Sequence, residues 1–111
     1  MCWRRRGSGP AAGVAEFRLS AAAERELGAI YAHTAEVFGT YQAEAYLAGL
    51  ERTFDLLAHF PRIGRPVDEV VPGYRRFQFQ SHMVFYSDRD GFVLIHAVLH
   101  RSRDIRPSLF D

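Results

Sequence analysis

The chain has 111 residues, of which 48% are hydrophobic and 14% aromatic, so it favours one compact domain with its own core. Its single cysteine excludes an internal disulfide and fits a reducing cytoplasm. The net charge of +1 is unevenly spread. Residues 14–60 carry three arginines and seven acids (net −4), and residues 61–111 carry eight arginines and six acids (net +2). The basic second half suits an acidic partner or nucleic acid.

Residues 1–13 contain three glycines, a proline and three arginines, with no apolar run after them. This composition predicts a flexible N-terminal tail ahead of a domain at residues 14–111. No stretch approaches 18 apolar residues, so no membrane span is predicted. Weak alternation over residues 14–19 predicts a short first strand.

Two helices are predicted from apolar spacing. Ser20 is a candidate N-cap for the first helix, and Gly39 suits the left-handed stop after it. Thr40 is a candidate cap for the second, whose apolar stripe repeats at four, three, four and three residues until Phe60 meets Pro61. The short join predicts an antiparallel helical hairpin.

The C-terminal part of the sequence predicts three strands, which follow a loop at residues 61–73. Residues 75–80 alternate, residues 83–87 follow a tight connection, and residues 92–99 are nearly all apolar, as in a central strand. Asp90 and Gly91 suit a hairpin turn between the last two. The sequence therefore predicts an α+β, two-layer β-α-α-β-β-β fold, with the helical hairpin on one face of a mainly antiparallel sheet.

The five histidines do not predict a metal site. His96 and His100 are four residues apart, which on a strand separates them by roughly 13 Å, and no cysteine pair or His-Glu-x-x-His motif is present. Because all fourteen basic residues are arginine, a lysine base, a Schiff base and a P-loop lysine are excluded. No metal or cofactor is expected.

Basic residues collect where the predicted strands begin and end. Arg75 and Arg76 start one strand, while His100, Arg101 and Arg103 close another, with Tyr86 on the strand between. If the strand ends meet, these groups could hold a phosphate, supply an acid or base and stack a nucleobase. The alternative is a solvated basic rim around a small sheet.

The strand at residues 92–99 also predicts a partner. Phe92, Leu94 and Val98 alternate on one face, and the helical hairpin can cover only the other. An apolar sheet face left open in so small a domain predicts a binding partner over these three residues.

The order of these motifs over about residues 15–106 resembles the ParE branch of the RelE/ParE toxins of bacterial toxin–antitoxin pairs. The resemblance is carried by a serine-capped, alanine- and glutamate-rich first helix, a proline-glycine turn and paired strand motifs, namely residues 17–24, Phe38-Gly39, Phe60-Pro61-x-x-Gly64-x-Pro66, Pro72-Gly73-x-Arg75, Phe85-Tyr86, Leu99-His100 and Arg103-Asp104.

The resemblance implies a toxin held by a co-encoded ParD-like antitoxin, whose acidic C-terminal segment folds along it. ParE-like members are associated with inhibition of DNA gyrase, so Arg75, Arg76, His100, Arg101 and Arg103 are expected to bind the target without catalysis or direct sequence-specific DNA binding. RelE-like members cleave mRNA on the ribosome, and that alternative would use Arg75, Tyr86 and His100. The absence of lysine and of a terminal tyrosine favours the ParE reading. A non-toxic assembly module is the third hypothesis.

Overall fold

The computed structural model describes residues 16–106 and Phe110. The predicted tail at residues 1–13 and the first two residues of the predicted first strand lie outside this part of the chain. No helix within the described residues is long and apolar enough to cross a membrane.

Two helices form the predicted hairpin, α1 (Ala21–Phe38) and α2 (Thr40–His59). The Ser20 hydroxyl accepts a bond from the Ala23 amide at 3.0 Å and donates to the His96 carbonyl at 2.8 Å, so the predicted cap also ties α1 to the sheet. Gly39 has φ +96°, a conformation that favours glycine. The prediction that Thr40 caps α2 is wrong, because Gly39 already occupies the cap position and Thr40 begins the helix.

Five strands form one mixed sheet, in the order β1-β5-β4-β3-β2. They are β1 (Phe17–Leu19), β2 (Arg65–Pro66), β3 (Arg75–Phe79), β4 (His82–Arg89) and β5 (Phe92–His100). Strand β1 runs parallel to β5, and the other three pairings are antiparallel. The predicted α+β architecture is confirmed. Strand β2 was not predicted, because its two residues, one of them proline, lie inside the loop at residues 61–73.

The helical hairpin covers one face of the sheet and forms the first core. The helices contribute an apolar stripe to it, and the central strands contribute residues that alternate with outward-facing ones. Its fully buried members include Phe17, Leu27, Leu50, Phe54, Tyr86 and Ile95. The rings of Phe17 and Phe54 lie 5.4 Å apart and tilted, which joins β1 to α2 at the centre of this layer.

A β-bulge in the central pair changes which face each side chain takes. Phe85 pairs with Ala97 and Tyr86 pairs with Ile95, so His96 is an extra residue in β5. An extra residue shifts the alternation by one position, and side chains after it point to the opposite face. Val98 therefore packs in the first core with Ile95.

The opposite face of the sheet carries a second, smaller core. Met83, Phe85, Ala97 and Leu99 pack there with Val67 from the loop that follows β2. Tyr74, Ile105 and Phe110 lie against this cluster, with the Phe110 ring centroid 5.1 Å from that of Phe85 and 5.4 Å from that of Tyr74. The chain itself thus supplies much of the cover that the sequence had assigned to a partner.

Candidate functional site

A groove of about 730 Å³ lies between the helical hairpin and the end of the central strands that carries His82 and His100. Helix α1 contributes Glu26, Ile30 and His33, and α2 contributes Tyr46. The sheet side is formed by the β3–β4 turn and the end of β5, with Arg103 just beyond. A groove of this size, with an apolar floor and a few polar groups, is typical of a binding site.

His82 is the central polar group of the groove. Its Nδ1 lies 2.7 Å from the Tyr46 hydroxyl, and its ring meets the His100 ring edge-on with centroids 5.4 Å apart. Burial lowers the pKa of His82, and the nearby His100 and His33 lower it further. The imidazole is therefore neutral at pH 7 and serves as a hydrogen-bonding group, not as a fixed cation.

Glu26 closes a gap at the sheet edge beside the groove. Strand β1 ends at Leu19, opposite Ile95, so no described strand pairs with β5 beyond that point on this side. The Glu26 carboxylate accepts a bond from the Val98 amide at 2.8 Å in place of a neighbouring strand. Burial raises the pKa of Glu26, although the bond from Val98 and the charges of Arg103 and Arg25 oppose the rise.

The predicted cluster of basic residues is divided between two ends of the sheet. Arg75 pairs with Tyr86, whereas His100 pairs with His82, four positions away along β4, which is roughly 13 Å. Strands β3 and β5 are both antiparallel to β4, so they run in the same direction, and the start of one lies away from the end of the other. The expectation that these strand ends meet is wrong.

Arg75 and Arg76 are half-buried and bonded within the chain. Arg75 Nη1 donates to the Gly64 carbonyl at 2.7 Å and to the Arg62 carbonyl at 3.3 Å. Arg76 Nη1 lies 3.6 Å from the Met83 sulfur. At the other end of the sheet, His100, Arg101 and Arg103 are exposed, and His100 Nδ1 lies 2.8 Å from the Ser102 hydroxyl.

Tyr86 lies in the first core and is fully buried. Its hydroxyl donates to the Pro61 carbonyl at 2.8 Å and accepts from the Gly64 amide at 2.8 Å. Burial is the main cause of its raised pKa. The three residues of the nuclease alternative are thus not one site: Arg75 holds the loop, Tyr86 is enclosed, and only His100 is exposed.

The three residues predicted to bind a partner do not share a face. Because of the bulge at His96, Val98 turns into the first core and lines the groove, while Phe92 and Leu94 stay half-buried at the other end of β5. The Arg18 guanidinium lies 4.0 Å from the centroid of the Phe92 ring. The prediction of one continuous apolar surface over these residues is wrong.

A hydrogen-bonded set surrounds His96 on the face opposite the helices. His96 Nε2 lies 2.8 Å from the Ser87 hydroxyl, and Nδ1 lies 3.1 Å from the Tyr74 hydroxyl, whose ring stacks on the imidazole at 4.0 Å. Arg89 also donates to Ser87 at 2.9 Å. Burial, with a smaller effect from Arg89, lowers the pKa of His96 to about 4. Within the described residues, no group of three His, Cys, Asp or Glu side chains is placed to hold a metal.

Two residues that build the groove were not predicted from the sequence, although Val98, His100 and Arg103 were among the predicted site residues. Tyr46 and Glu26 lie within the two predicted helices, and neither was predicted to belong to a site. The contact between Tyr46 and His82 joins residues 36 positions apart, so no local sequence pattern predicts it. Glu26 could have been found by comparing strand lengths, because a first strand much shorter than the last leaves unpaired edge groups.

Residues 17–105 match the family model described as the ParE toxin of the type II toxin–antitoxin system parDE. The chain is 39% identical over 94 residues to toxin ParE1 of Mycobacterium tuberculosis (strain H37Rv), which covers 84% of this chain and 96% of that protein. Toxin ParE1 of Caulobacter vibrioides is 37% identical over 94 residues with the same coverage. A solved structure of the chromosomal ParDE TA system from P. aeruginosa has a TM-score of 0.67 at 19% identity, covering 76% of this chain and 92% of that one.

Proposed function

This chain belongs to the ParE toxin family of type II toxin–antitoxin systems, and we propose that it acts by binding DNA gyrase while a co-encoded ParD-like antitoxin holds it inactive. The observation that carries the proposal is the match of residues 17–105 to the family model, which spans both helices and all five strands. The relatives that share 37–39% of their residues with it both bear the name toxin ParE1.

The groove is the proposed binding site of the antitoxin. Its floor includes Ile30 and Val98, and its rim carries His33, His100 and Arg103. An amphipathic segment could bury apolar side chains on that floor and place carboxylates against the rim. A segment that orders only on binding would offset its ordering cost by covering a long surface.

The exposed residues His100, Arg101 and Arg103 are the proposed contacts to gyrase. They lie at the end of β5, beside the groove, so an antitoxin bound there would cover or adjoin them. This adjacency supplies a direct reason for neutralisation, because two partners would compete for one end of the sheet. Arg75 and Arg76 contribute less in this proposal, since both are half-buried and bonded inside the chain.

The experiment is a supercoiling assay with purified gyrase and the full chain, with and without the antitoxin encoded beside it. Single alanine variants of Arg75, His100, Arg101 and Arg103 are compared with Arg106→Ala, an exposed arginine that pairs only with Asp104 in the described chain. A binding surface predicts graded losses of inhibition across the first group, because interface energy is spread over several contacts.

The outcomes separate the three hypotheses. Inhibition of gyrase that the antitoxin relieves supports the proposal. Site-specific mRNA cuts abolished by His100→Ala alone would support the nuclease instead, since loss of one acid–base group lowers a rate by roughly 10²–10⁴. Growth that is unaffected by the chain without its antitoxin would indicate an assembly module.

A further inference from the structure

An exposed apolar surface lies at the C-terminal end of α2, far from the groove. Leu56, Phe60 and Ile63 are 39%, 58% and 47% exposed, although each is large and apolar. Arg62 in the following turn and Arg65 at the start of β2 are also exposed. We call these five residues the turn patch. The proposed function does not use it, even though its Phe-Pro-x-x-Gly-x-Pro sequence is one of the most distinctive motifs of the chain.

Hydrogen bonds from Tyr86 and Arg75 hold the backbone of the turn patch in place. The Tyr86 hydroxyl donates to the Pro61 carbonyl and accepts from the Gly64 amide, both at 2.8 Å, and Arg75 donates to the Gly64 carbonyl at 2.7 Å. The Ile63 amide also closes a turn onto the Phe60 carbonyl at 3.1 Å. A fully buried tyrosine thus fixes a loop whose own side chains face outward. Prior rigidity of this kind lowers the entropy cost of binding.

The composition of the turn patch fits a protein partner. Aromatic residues and arginine are enriched at interface centres, and apolar side chains flanked by cations match an acidic segment that also carries apolar groups. Neither Arg62 nor Arg65 forms an ion pair with another residue in the described part of the chain, so both guanidinium groups are available. Three exposed apolar side chains beside only two arginines argue against a phosphate backbone, which binds surfaces rich in cations.

The position of the turn patch separates it from the antitoxin groove. Tyr46 lines the groove, and α2 continues for thirteen residues beyond it to His59, next to Phe60, which is roughly 20 Å of helix. A segment confined to the groove leaves this end of α2 uncovered.

We propose that the turn patch is a second docking surface of the toxin, which receives an acidic, apolar segment of its protein target. The inference rests on the proposed function, in which that target is gyrase. The toxin then binds its target through two surfaces, the exposed end of β5 and the turn patch. The antitoxin needs to cover only the end of β5 to lower the affinity of the toxin for its target.

The test measures binding of the full chain to purified gyrase subunits and, separately, to the co-encoded antitoxin. Ile63→Ala removes an exposed apolar side chain, and Arg62→Glu reverses the charge of an exposed one. Tyr41→Ala is the matched control, because Tyr41 is 84% exposed at the opposite end of α2. Ile63→Ala and Arg62→Glu are each expected to weaken gyrase binding about tenfold, a loss that only a minority of interface residues produce. All three variants should bind the antitoxin within about twofold of the original chain.

Other results would overturn the inference in distinguishable ways. If the original chain binds gyrase and both patch variants bind it equally well, the turn patch is not a target surface and the proposed function stands. If the original chain does not bind gyrase, both proposals fall. A matched loss of antitoxin binding would assign the patch to the antitoxin. A dimer that dissociates in Ile63→Ala, seen by sedimentation with gyrase binding unchanged, would assign it to a second copy.

Discussion

Replacing Gly64 by alanine should destabilise the chain strongly, because the methyl group would collide with Tyr86. A Cβ built at Gly64 would lie 2.7 Å from Cε1 and 2.8 Å from Cζ of the Tyr86 ring, and would overlap the hydroxyl oxygen. The ring cannot withdraw easily, since it is fully buried in the first core and its hydroxyl is bonded on both sides.

The expected loss of unfolding free energy in Gly64→Ala has two contributions. Two hydrogen bonds at the Tyr86 hydroxyl would be lost or bent, at about 1 kcal/mol each. Overpacking at a site that cannot expand adds about 1–3 kcal/mol. The free energy of unfolding should therefore fall by about 3–5 kcal/mol. For a domain of this size that is a fall in melting temperature on the order of 10–20 °C.

The assay is urea unfolding of Gly64→Ala, Tyr86→Phe and the double variant. Tyr86→Phe removes the hydroxyl that the new methyl group meets first, so the double variant should lose at least about 1 kcal/mol less than the two single losses together. Gly28→Ala is the control, because a Cβ there meets nothing within 4 Å, and alanine inside α1 should add about 0.5–1 kcal/mol. A Gly64→Ala variant within about 0.5 kcal/mol of the original, or strictly additive losses, would refute the reasoning.

Three further predictions concern pH, the sheet edge and the N-terminus. The fold holds His96 neutral, with a pKa of about 4 against 6.5 for the free side chain, so the free energy of unfolding should fall as the pH drops through that window. The fall should be less than the roughly 3.4 kcal/mol of the full shift, because the side chain is only half-buried. Urea midpoints of His96→Asn should fall less steeply over the same range. Glu26→Ala leaves the Val98 amide without its partner, which should cost about 1–3 kcal/mol in thermal unfolding, while Glu24→Ala, exposed on the same helix, should cost less. A chain beginning at residue 14 should fold and bind the antitoxin as well as the full chain, and an affinity loss above about fivefold by calorimetry would contradict this.

Local sequence signals were sufficient for the helices and for the last hairpin. Apolar spacing set the two helices, Ser20 supplied the cap contact to Ala23, and Gly91 has φ +90° in the turn between β4 and β5. Each of these features is decided within a few residues. The mainly antiparallel sheet also followed, because the last two strands are joined by a tight turn.

The site depended on information that the local pattern does not contain. The extra residue at His96 is visible only once Phe85 is paired with Ala97, and it alone moves Val98 to the other face. Likewise, the separation of Arg75 from His100 follows from both strands pairing with β4. Strand order and register are properties of the assembled sheet, so alternation within one strand could not predict which basic residues meet.

The short first strand has a consequence for how molecules of this chain meet each other. An uncovered strand edge is a template for pairing with any extended segment, including the same segment of another copy. Glu26 places a carboxylate over the Val98 amide, so a strand approaching there must first displace a half-buried acid. At the opposite edge, the two residues of β2 include Pro66, which lacks an amide to offer. Edge-to-edge pairing is thus disfavoured at these two places on the sheet.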